Sequence, residues 1–247
     1  MKTTNLFTMK IFKHITLVTT IITLLAACSK FDSSDNSPIG QYAAAVGVVH
    51  ASAGGPALDV AFDNNRLGVS SFTYSKRVDY LRAYVGKRNF KVYNATTATN
   101  TPLLSKDIHF ESGKYYTLFI ADTASKMEII TLRDSTRAPG NDSVRLRFVN
   151  MSPDAPALDL YIKGNTTPIA TNISYKNAGN FFSLKAANNA EFEIKATGQT
   201  TLLATSDATN LVNGKIYTIW NGGYINGNGA EGIRIRVTAF THNPIFF

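Results

Sequence analysis

Residues 149–160 read Val149-Asn150-Met151-Ser152-Pro153-Asp154-Ala155-Pro156-Ala157-Leu158-Asp159-Leu160. One hundred positions earlier, residues 49–60 read Val49-His50-Ala51-Ser52-Ala53-Gly54-Gly55-Pro56-Ala57-Leu58-Asp59-Val60. Val, Ser, Pro, Ala, Leu and Asp recur in one register, and the echo continues downstream. Tyr74 matches Tyr175, Phe90 matches Phe192, and Gly113-Lys114-Tyr115-Tyr116-Thr117-Leu118 matches Gly214-Lys215-Ile216-Tyr217-Thr218-Ile219. Self-similarity sustained over this length marks a duplicated structural unit. It divides the chain into a first copy over 42–137, a short polar linker over 138–143 and a second copy over 144–247.

Inside each copy the apolar residues have period two. Leu81, Ala83 and Val85 alternate with Arg82 and Tyr84; Leu158, Leu160 and Ile162 alternate with Asp159 and Tyr161; Ile233, Ile235, Val237 and Ala239 alternate with Arg234, Arg236, Thr238 and Phe240. Such alternation predicts strands with one face on a core and one toward water. Turn signals at Asp63-Asn64-Asn65, Gly86-Lys87-Arg88-Asn89, Glu111-Ser112-Gly113, Lys163-Gly164-Asn165 and Asn213-Gly214 separate the runs. No stretch after residue 28 holds a helical period for three turns. The expectation is all-β: two tandem β-sandwich domains, immunoglobulin-like or transthyretin-like, following a lipoprotein signal peptide. With 247 residues, 15 Phe, 11 Tyr and 44% hydrophobic content, the chain has material for two packed cores.

The N-terminus has a different character. Lys2, or Lys10 and Lys13 after a second start at Met9, precede an uncharged apolar and Thr run from Ile15 that ends in Leu25-Ala26-Ala27-Cys28. A basic end, an apolar core and small residues before a cleavage point predict a secretory signal over 1–27. The run is shorter than the about 20 apolar residues that span a bilayer. Leu-Ala-Ala-Cys resembles the lipobox of bacterial lipoproteins. The resemblance implies cleavage between Ala27 and Cys28, a diacylated Cys28 thiol and an acylated new amino group, palmitate-type chains that together anchor the protein to a lipid bilayer. Residues 28–41, rich in Ser, Asp, Asn, Pro and Gly, read as a tether. Loss of Lys2, Lys10 and Lys13 lowers the net charge from +8 to +5. The densest basic run, Lys76, Arg77, Arg82, Lys87, Arg88 and Lys91, reads as a solvated strand face, so no nucleic-acid partner is expected.

The paired segments Val-x-x-x-Ser-x-x-x-Pro-Ala-Leu-Asp resemble the hallmark of the DUF4397 family, a bacterial domain of unknown function. The match is fullest in Phe148–Ile162, and the first copy departs from it with Ala53-Gly54-Gly55. The resemblance implies an exported β-rich protein of the cell surface or periplasm and assigns no catalytic residues.

Chemistry-bearing residues are sparse. Ser52 and Ser152 are suited to capping turn donors, Pro56 and Pro156 to fixing φ before a strand, and Asp59 and Asp159 to facing outward or meeting local backbone donors. Asp154 and Asp159 could ligate a hard cation, but the acids are too thin for six to eight oxygens, and no metal site is expected. His14, His50, His109 and His242 lack ligand spacing. Ser52, His109 and Asp59 could form a hydrolytic triad, yet no Gly-x-Ser-x-Gly surrounds a serine and the second copy has no counterpart of His109; no catalytic residue is assigned and no cofactor beyond the lipid on Cys28. Gly227-Asn228-Gly229-Ala230-Glu231-Gly232 matches a dinucleotide fingerprint but precedes a strand, so it reads as a hairpin loop. Trp220, Tyr224 and Asn226, with Asn221 and Asn228 nearby, form an aromatic-amide cluster that could meet a sugar; the alternative puts Trp220 in a core, as for its equivalent Phe119. Thr123, Ser135 and Ser143, each following Asp, resemble O-glycosylation sites of some gram-negative bacteria. The expected protein is a lipid-anchored component of the cell envelope, at the outer membrane, non-enzymatic, meeting envelope proteins or glycans. The alternatives are a carbohydrate-binding accessory lipoprotein and an envelope hydrolase. Unpaired edge strands leave room for a homo-oligomer.

Overall fold

Alternating side chains with turn residues between them build strands throughout the residues described, 42–68, 72–97 and 100–239 of a computed structural model. The expected signal segment, the expected cleavage site at Ala27 and Cys28, and the expected tether lie outside the described residues. In the first copy, β1 (Ala43–His50), β4 (Arg77–Tyr84), β7 (Tyr115–Ala121) and β8 (Glu128–Arg133) form a sheet of order β4-β1-β7-β8. Its partner sheet runs β3-β2-β5-β6, from β2 (Leu58–Phe62), β3 (Asn65–Arg66), β5 (Gly86–Asn94) and β6 (Leu104–Phe110).

The second copy repeats the plan. β9 (Ser143–Met151), β12 (Phe182–Lys185), β17 (Ile216–Gly222) and β18 (Arg234–Ala239) form the sheet β12-β9-β17-β18. β10 (Leu158–Ile162), β11 (Ala170–Ile173), β14 (Phe192–Ala196) and β15 (Leu202–Thr205) form β11-β10-β14-β15. A short pair, β13 (Ala187–Ala190) with β16 (Thr209–Leu211), continues the β14–β15 hairpin beyond an interruption. There Ser206 exchanges bonds with Phe192, its N–H donating to the Phe192 carbonyl and its hydroxyl accepting from the Phe192 N–H. In the first copy β5 and β6 pair without a break.

Between the two sandwich types left open above, strand order decides. An immunoglobulin constant domain keeps its first two strands in one antiparallel sheet. Here β1 and β2 lie in opposite sheets, and β1 pairs parallel with β7, as β9 does with β17. The transthyretin-like arrangement is the one that remains.

Each sandwich has its own core. Ala44, Val46, Val48, Phe90, Phe110, Leu118 and Ile120 fill the first; Leu146, Phe148, Leu160, Phe192, Ile194 and Ile219 fill the second. The expectation that the other strand face meets water fails for the central strands. β1, β7 and β17 are buried at every position. Alternation holds, but the outer residues Val49, Phe119 and Ala121 of the first copy pack with Val149, Met151 and Trp220 of the second in a third apolar layer. The two sandwiches therefore meet through the outward faces of their β1/β7 and β9/β17 sheets. Among the described residues no helix is long and apolar enough to cross a membrane.

One ion pair is sealed inside this layer. Arg147 of β9 donates to Asp134, which follows β8, and both side chains are 3% exposed. Asp134 also accepts from the hydroxyls of Tyr80 and Thr117, both at 2.7 Å. Arg147 also donates to Thr218 Oγ1 at 3.2 Å and to the Arg133 carbonyl at 3.1 Å, and lies over the Phe181 ring. Buried charges persist only when their remaining hydrogen-bonding capacity is met, and this set meets it from four elements of both copies.

A candidate site at the junction of the two repeats

The recurrent Ser-Pro segments sit where β1 and β9 leave the buried layer. In the second copy Asn150, fully buried, donates its amide to the carbonyls of Pro156 (3.2 Å) and Ile173 (3.0 Å), while its oxygen accepts from the Ser152 N–H and from Asn221. The Ser152 hydroxyl donates to the Gly223 carbonyl, and Asp154 accepts from the Ile225 N–H. The hallmark residues thus hold the loop between β17 and β18. Asp154 is occupied by backbone, and among the described residues no group of three or more His, Cys, Asp and Glu could hold a metal.

His50 stands in the first copy where Asn150 stands in the second. Its Nε2 lies 3.0 Å from the Pro56 carbonyl, which only accepts, so the proton is on Nε2. The ring contacts Phe72 and Tyr74 edge-on. Burial lowers its pKa from the ordinary histidine value, against a smaller opposing effect of the Pro56 hydrogen bond. The unfolded chain therefore binds the extra proton more readily than the native one, so His50 contributes stability above about pH 6.5 that is lost as pH falls. We expect His50→Asn to flatten the fall in stability between about pH 7 and pH 5, read from denaturant midpoints across that range; an unchanged slope would show that His50 is not the group responsible.

Tyr74–Ser75 and Tyr175–Lys176 are equivalent turns, with Ser75 and Lys176 both at positive φ. Strand register supplies the other correspondences. Ala121 pairs with Glu128 where Gly222 pairs with Arg234, and Phe119 pairs with Ile130 where Trp220 pairs with Arg236. The junction consequently has two equivalent corners with opposite chemistry.

At one corner Lys176 Nζ reaches Asp122 (2.7 Å) and Glu128 (3.2 Å), closing the contact between the copies. Burial works to raise the Asp122 carboxyl, but the hydrogen bonds from Lys176 and the Thr123 N–H outweigh it and hold the pKa below the ordinary range.

At the other corner Ser75 replaces the lysine, and Arg234 replaces the glutamate. Among the described residues no ion pair closes it. A concavity of about 390 Å³ opens between Gly54, Tyr74 and Ser75 on one side and Glu231, Arg234 and Arg236 on the other. A second of about 400 Å³ adjoins it through Ser75 and Arg236 and extends to Lys76 and Arg77. Arg236 lies 4.8 Å from the ring centres of both Tyr74 and Trp220. Its NH1 donates to the Arg234 carbonyl at 3.2 Å, and Arg234 NH2 donates to the Gly229 carbonyl at 2.9 Å. Burial draws the Arg236 guanidinium below its ordinary value, offset in part by Tyr74. The concavity at Ile169, Ile173, Asn180 and Phe182 in the second copy, about 450 Å³, has no charged lining residue.

The residues singled out from sequence divide unevenly. Trp220 is 1% exposed, its indole N–H donating to Thr238 and its ring set edge-on against Phe119. The outer sheet face it occupies is covered by the other copy, and it borders the second concavity beneath Arg236. Tyr224 is half-buried with its hydroxyl 3.3 Å from the Ala53 carbonyl; Asn226 is exposed in the loop. Asn221 is buried in the Asn150 network. The aromatic-amide cluster is thus not brought to one surface.

Ser52 is 0% exposed, while His109 lies on β6 opposite Lys87 and Asp59 binds Arg66, so the hydrolytic combination is not assembled. Asp159 accepts from the Asn172 N–H and the Thr197 hydroxyl, both at 2.8 Å. Thr123, Ser135 and Ser143 are half-buried, and the acids before the first two, Asp122 and Asp134, are engaged between the copies. The glycine-rich run carries a three-residue 3-10 turn, Gly229–Glu231, leading into β18. In the basic run, Arg77, Lys87 and Arg88 meet Asp79, Asp107 and Asp63. The site residues that sequence reasoning passed over are Tyr74, Ser75, Arg234 and Arg236. The signal was the exchange of Glu128 for Arg234, hidden because the loop Gly223–Ile233 is longer than its counterpart Asp122–Met127.

A family model described as "Domain of unknown function (DUF4397)" matches residues 44–161 and 149–239. No curated protein matches. Among solved structures, family 41 carbohydrate-binding modules of streptococcal virulence factors, described as recognising alpha-glucan, share 12% identity over 82% of this chain and 98% of theirs, with a TM-score of 0.25. An alpha-glucan-binding streptococcal virulence factor shares 14% over 82% and 98%, at 0.25. A candidate cell adhesion protein of Parabacteroides distasonis ATCC 8503 shares 10% over 85% and 99%, at 0.21. Likeness at that level says nothing of this chain's ligand.

Proposed function

Since the chain belongs to the DUF4397 family, a domain of unknown function, we propose from its own residues that it is an exported lipoprotein, held to the envelope membrane through Cys28, whose paired sandwiches act as a non-catalytic binding module for envelope glycans or proteins. The observation that carries the binding reading is the open corner. Two adjoining concavities lie at the junction of the repeats, built from turns of one copy and a strand of the other, and among the described residues Arg234 and Arg236 have no carboxylate partner there. Concave, rigidly framed sites with a few convergent polar groups are where proteins take ligands. Loops at the ends of a sandwich are presented without disturbing its core. The burial of Ser52, the place of His109 on β6 opposite Lys87 and the ion pair of Asp59 with Arg66 favour binding over hydrolysis by that combination.

The anchor rests on the run Ile15–Cys28, and one acyl chain alone would hold only marginally. In cells, Cys28→Ser is expected to abolish incorporation of labelled palmitate and to move the protein from the membrane to the soluble fraction. A variant that still fractionates with membranes and matures to the same size would overturn the anchor. For the binding module, the purified full-length chain is expected to retain an envelope glycan or protein without turnover; sustained release of cleaved product would favour the hydrolase.

A further inference from the structure

We propose that the open corner binds a carboxylate-bearing saccharide, with Arg234 and Arg236 receiving the carboxylate. The inference rests on the binding-module reading above and names its ligand class.

Where the first corner is closed by Lys176 on Asp122 and Glu128, the second carries Ser75, Gly223 and Arg234 at the corresponding places. The lysine is gone, and both acids are gone. What remains is positive: Lys76, Arg234 and Arg236 line the concavities against one carboxylate, Glu231, that is in ion-pair contact with none of them. Folding thus leaves two guanidinium groups on one strand, at alternate positions of β18, lining a cavity where, among the described residues, no carboxylate is in ion-pair contact with them.

Arg236 is held for such a partner. Two aromatic rings flank it and its NH1 is fixed on the Arg234 carbonyl, so little side-chain freedom is left to lose on binding. A guanidinium presents five donors in a planar fork that matches a carboxylate with two parallel hydrogen bonds. Partial burial strengthens such a bond relative to water.

The remaining lining suits a hydroxylated ring. Thr73 and Ser75 supply hydroxyls and Glu231 an acceptor. Gly54, at φ +71°, lets the backbone approach where a side chain would meet Glu231. A protein partner would call for an apolar anchor in a pocket, and the large exposed apolar residues Tyr42, Tyr84, Leu103, Leu202 and Val212 all lie off these linings. The space is that of a monosaccharide or disaccharide unit.

The test is calorimetric titration of the purified full-length chain with oligosaccharides of galacturonate, glucuronate and sialate, each beside its methyl ester, and with an acidic peptide of equal charge. At least one free acid is expected to bind, about ten-fold or more tighter than its ester, since a hydrogen-bonded charge is at stake, and to weaken with added salt. Arg236→Gln should lower that affinity about ten-fold or more. Arg234→Glu, at an exposed position, restores the acid of the closed corner and should abolish binding with the fold intact, so the outcome does not depend on tolerance of change at Arg236. Absence of binding by every acid, equal binding of acid and ester, or tighter binding of the peptide would overturn the proposal. Saccharide binding untouched by both variants would overturn this site while leaving the general binding reading in place.

Discussion

Replacing Asp134 by Ala is expected to lower the stability of the protein by about 3–5 kcal/mol, the cost of leaving a buried charge uncompensated. The reason is positional. Arg147 and Asp134 are 3% exposed and come from different copies. With the carboxylate gone, the Arg147 guanidinium keeps Thr218, the Arg133 carbonyl and the Phe181 ring but no acid, while Tyr80 and Thr117 lose Asp134 as an acceptor. Denaturant titration followed by the fluorescence of Trp220, the chain's single tryptophan, reads the loss from inside the same layer. Replacing both partners with apolar residues, as in Asp134→Leu with Arg147→Met, should recover much of it, because paired burial of charge is close to neutral against well-packed apolar groups. A loss under about 1 kcal/mol for Asp134→Ala, the level of an exposed pair, would show that water reaches Arg147.

Trp220→Ala is expected to cost about 3–5 kcal/mol by leaving a cavity that its surroundings only partly fill. The ring is the largest fully buried side chain described; it packs on Phe119, lies under Arg236 and folds over Gly222, where a Cβ would come within 2.9 Å of it. Trp220→Phe, which copies the equivalent position of the first repeat, should cost distinctly less. Circular dichroism against denaturant provides the readout once the fluorophore is lost. Equal stability of Trp220→Ala and wild type would mean that the third apolar layer does not hold the copies together.

The layer explains why some elements were legible from the chain and others were not. Alternation in Leu158–Ile162 and in Ile233–Ala239 reported strands and their two faces, since side-chain direction in an extended chain is a local matter. Which medium each face meets is not local. Val49, Phe119, Val149 and Trp220 become neighbours only when two sheets far apart in sequence are stacked. Trp220 thus reads equally as a sugar platform or a core residue until the stacking is known. Arg145 and Arg147 stand at alternate positions of β9, yet among the described residues Arg147 and not Arg145 pairs with a buried acid.

The candidate site was still less visible. The hallmark Ser-Pro segments advertise themselves by repetition, but their residues spend their hydrogen bonds on the loop they stabilise: Asn150 on Pro156 and Ile173, Ser152 on Gly223, Asp154 on Ile225. Repetition here marks a structural need. The residues that differ between the copies, Ser75 for Lys176 and Arg234 for Glu128, are what open one corner and close the other.

From its order of residues alone, the chain was committed to an all-β fold written twice, to its turns and to its family, because period-two alternation, turn chemistry and repetition act over a few residues at a time. Strand order within each sandwich, the burial of Trp220 and the lack of a described carboxylate on Arg234 and Arg236 were settled only by tertiary structure. Those depend on which distant surface arrives against each face, and on whether an opposite charge arrives with it.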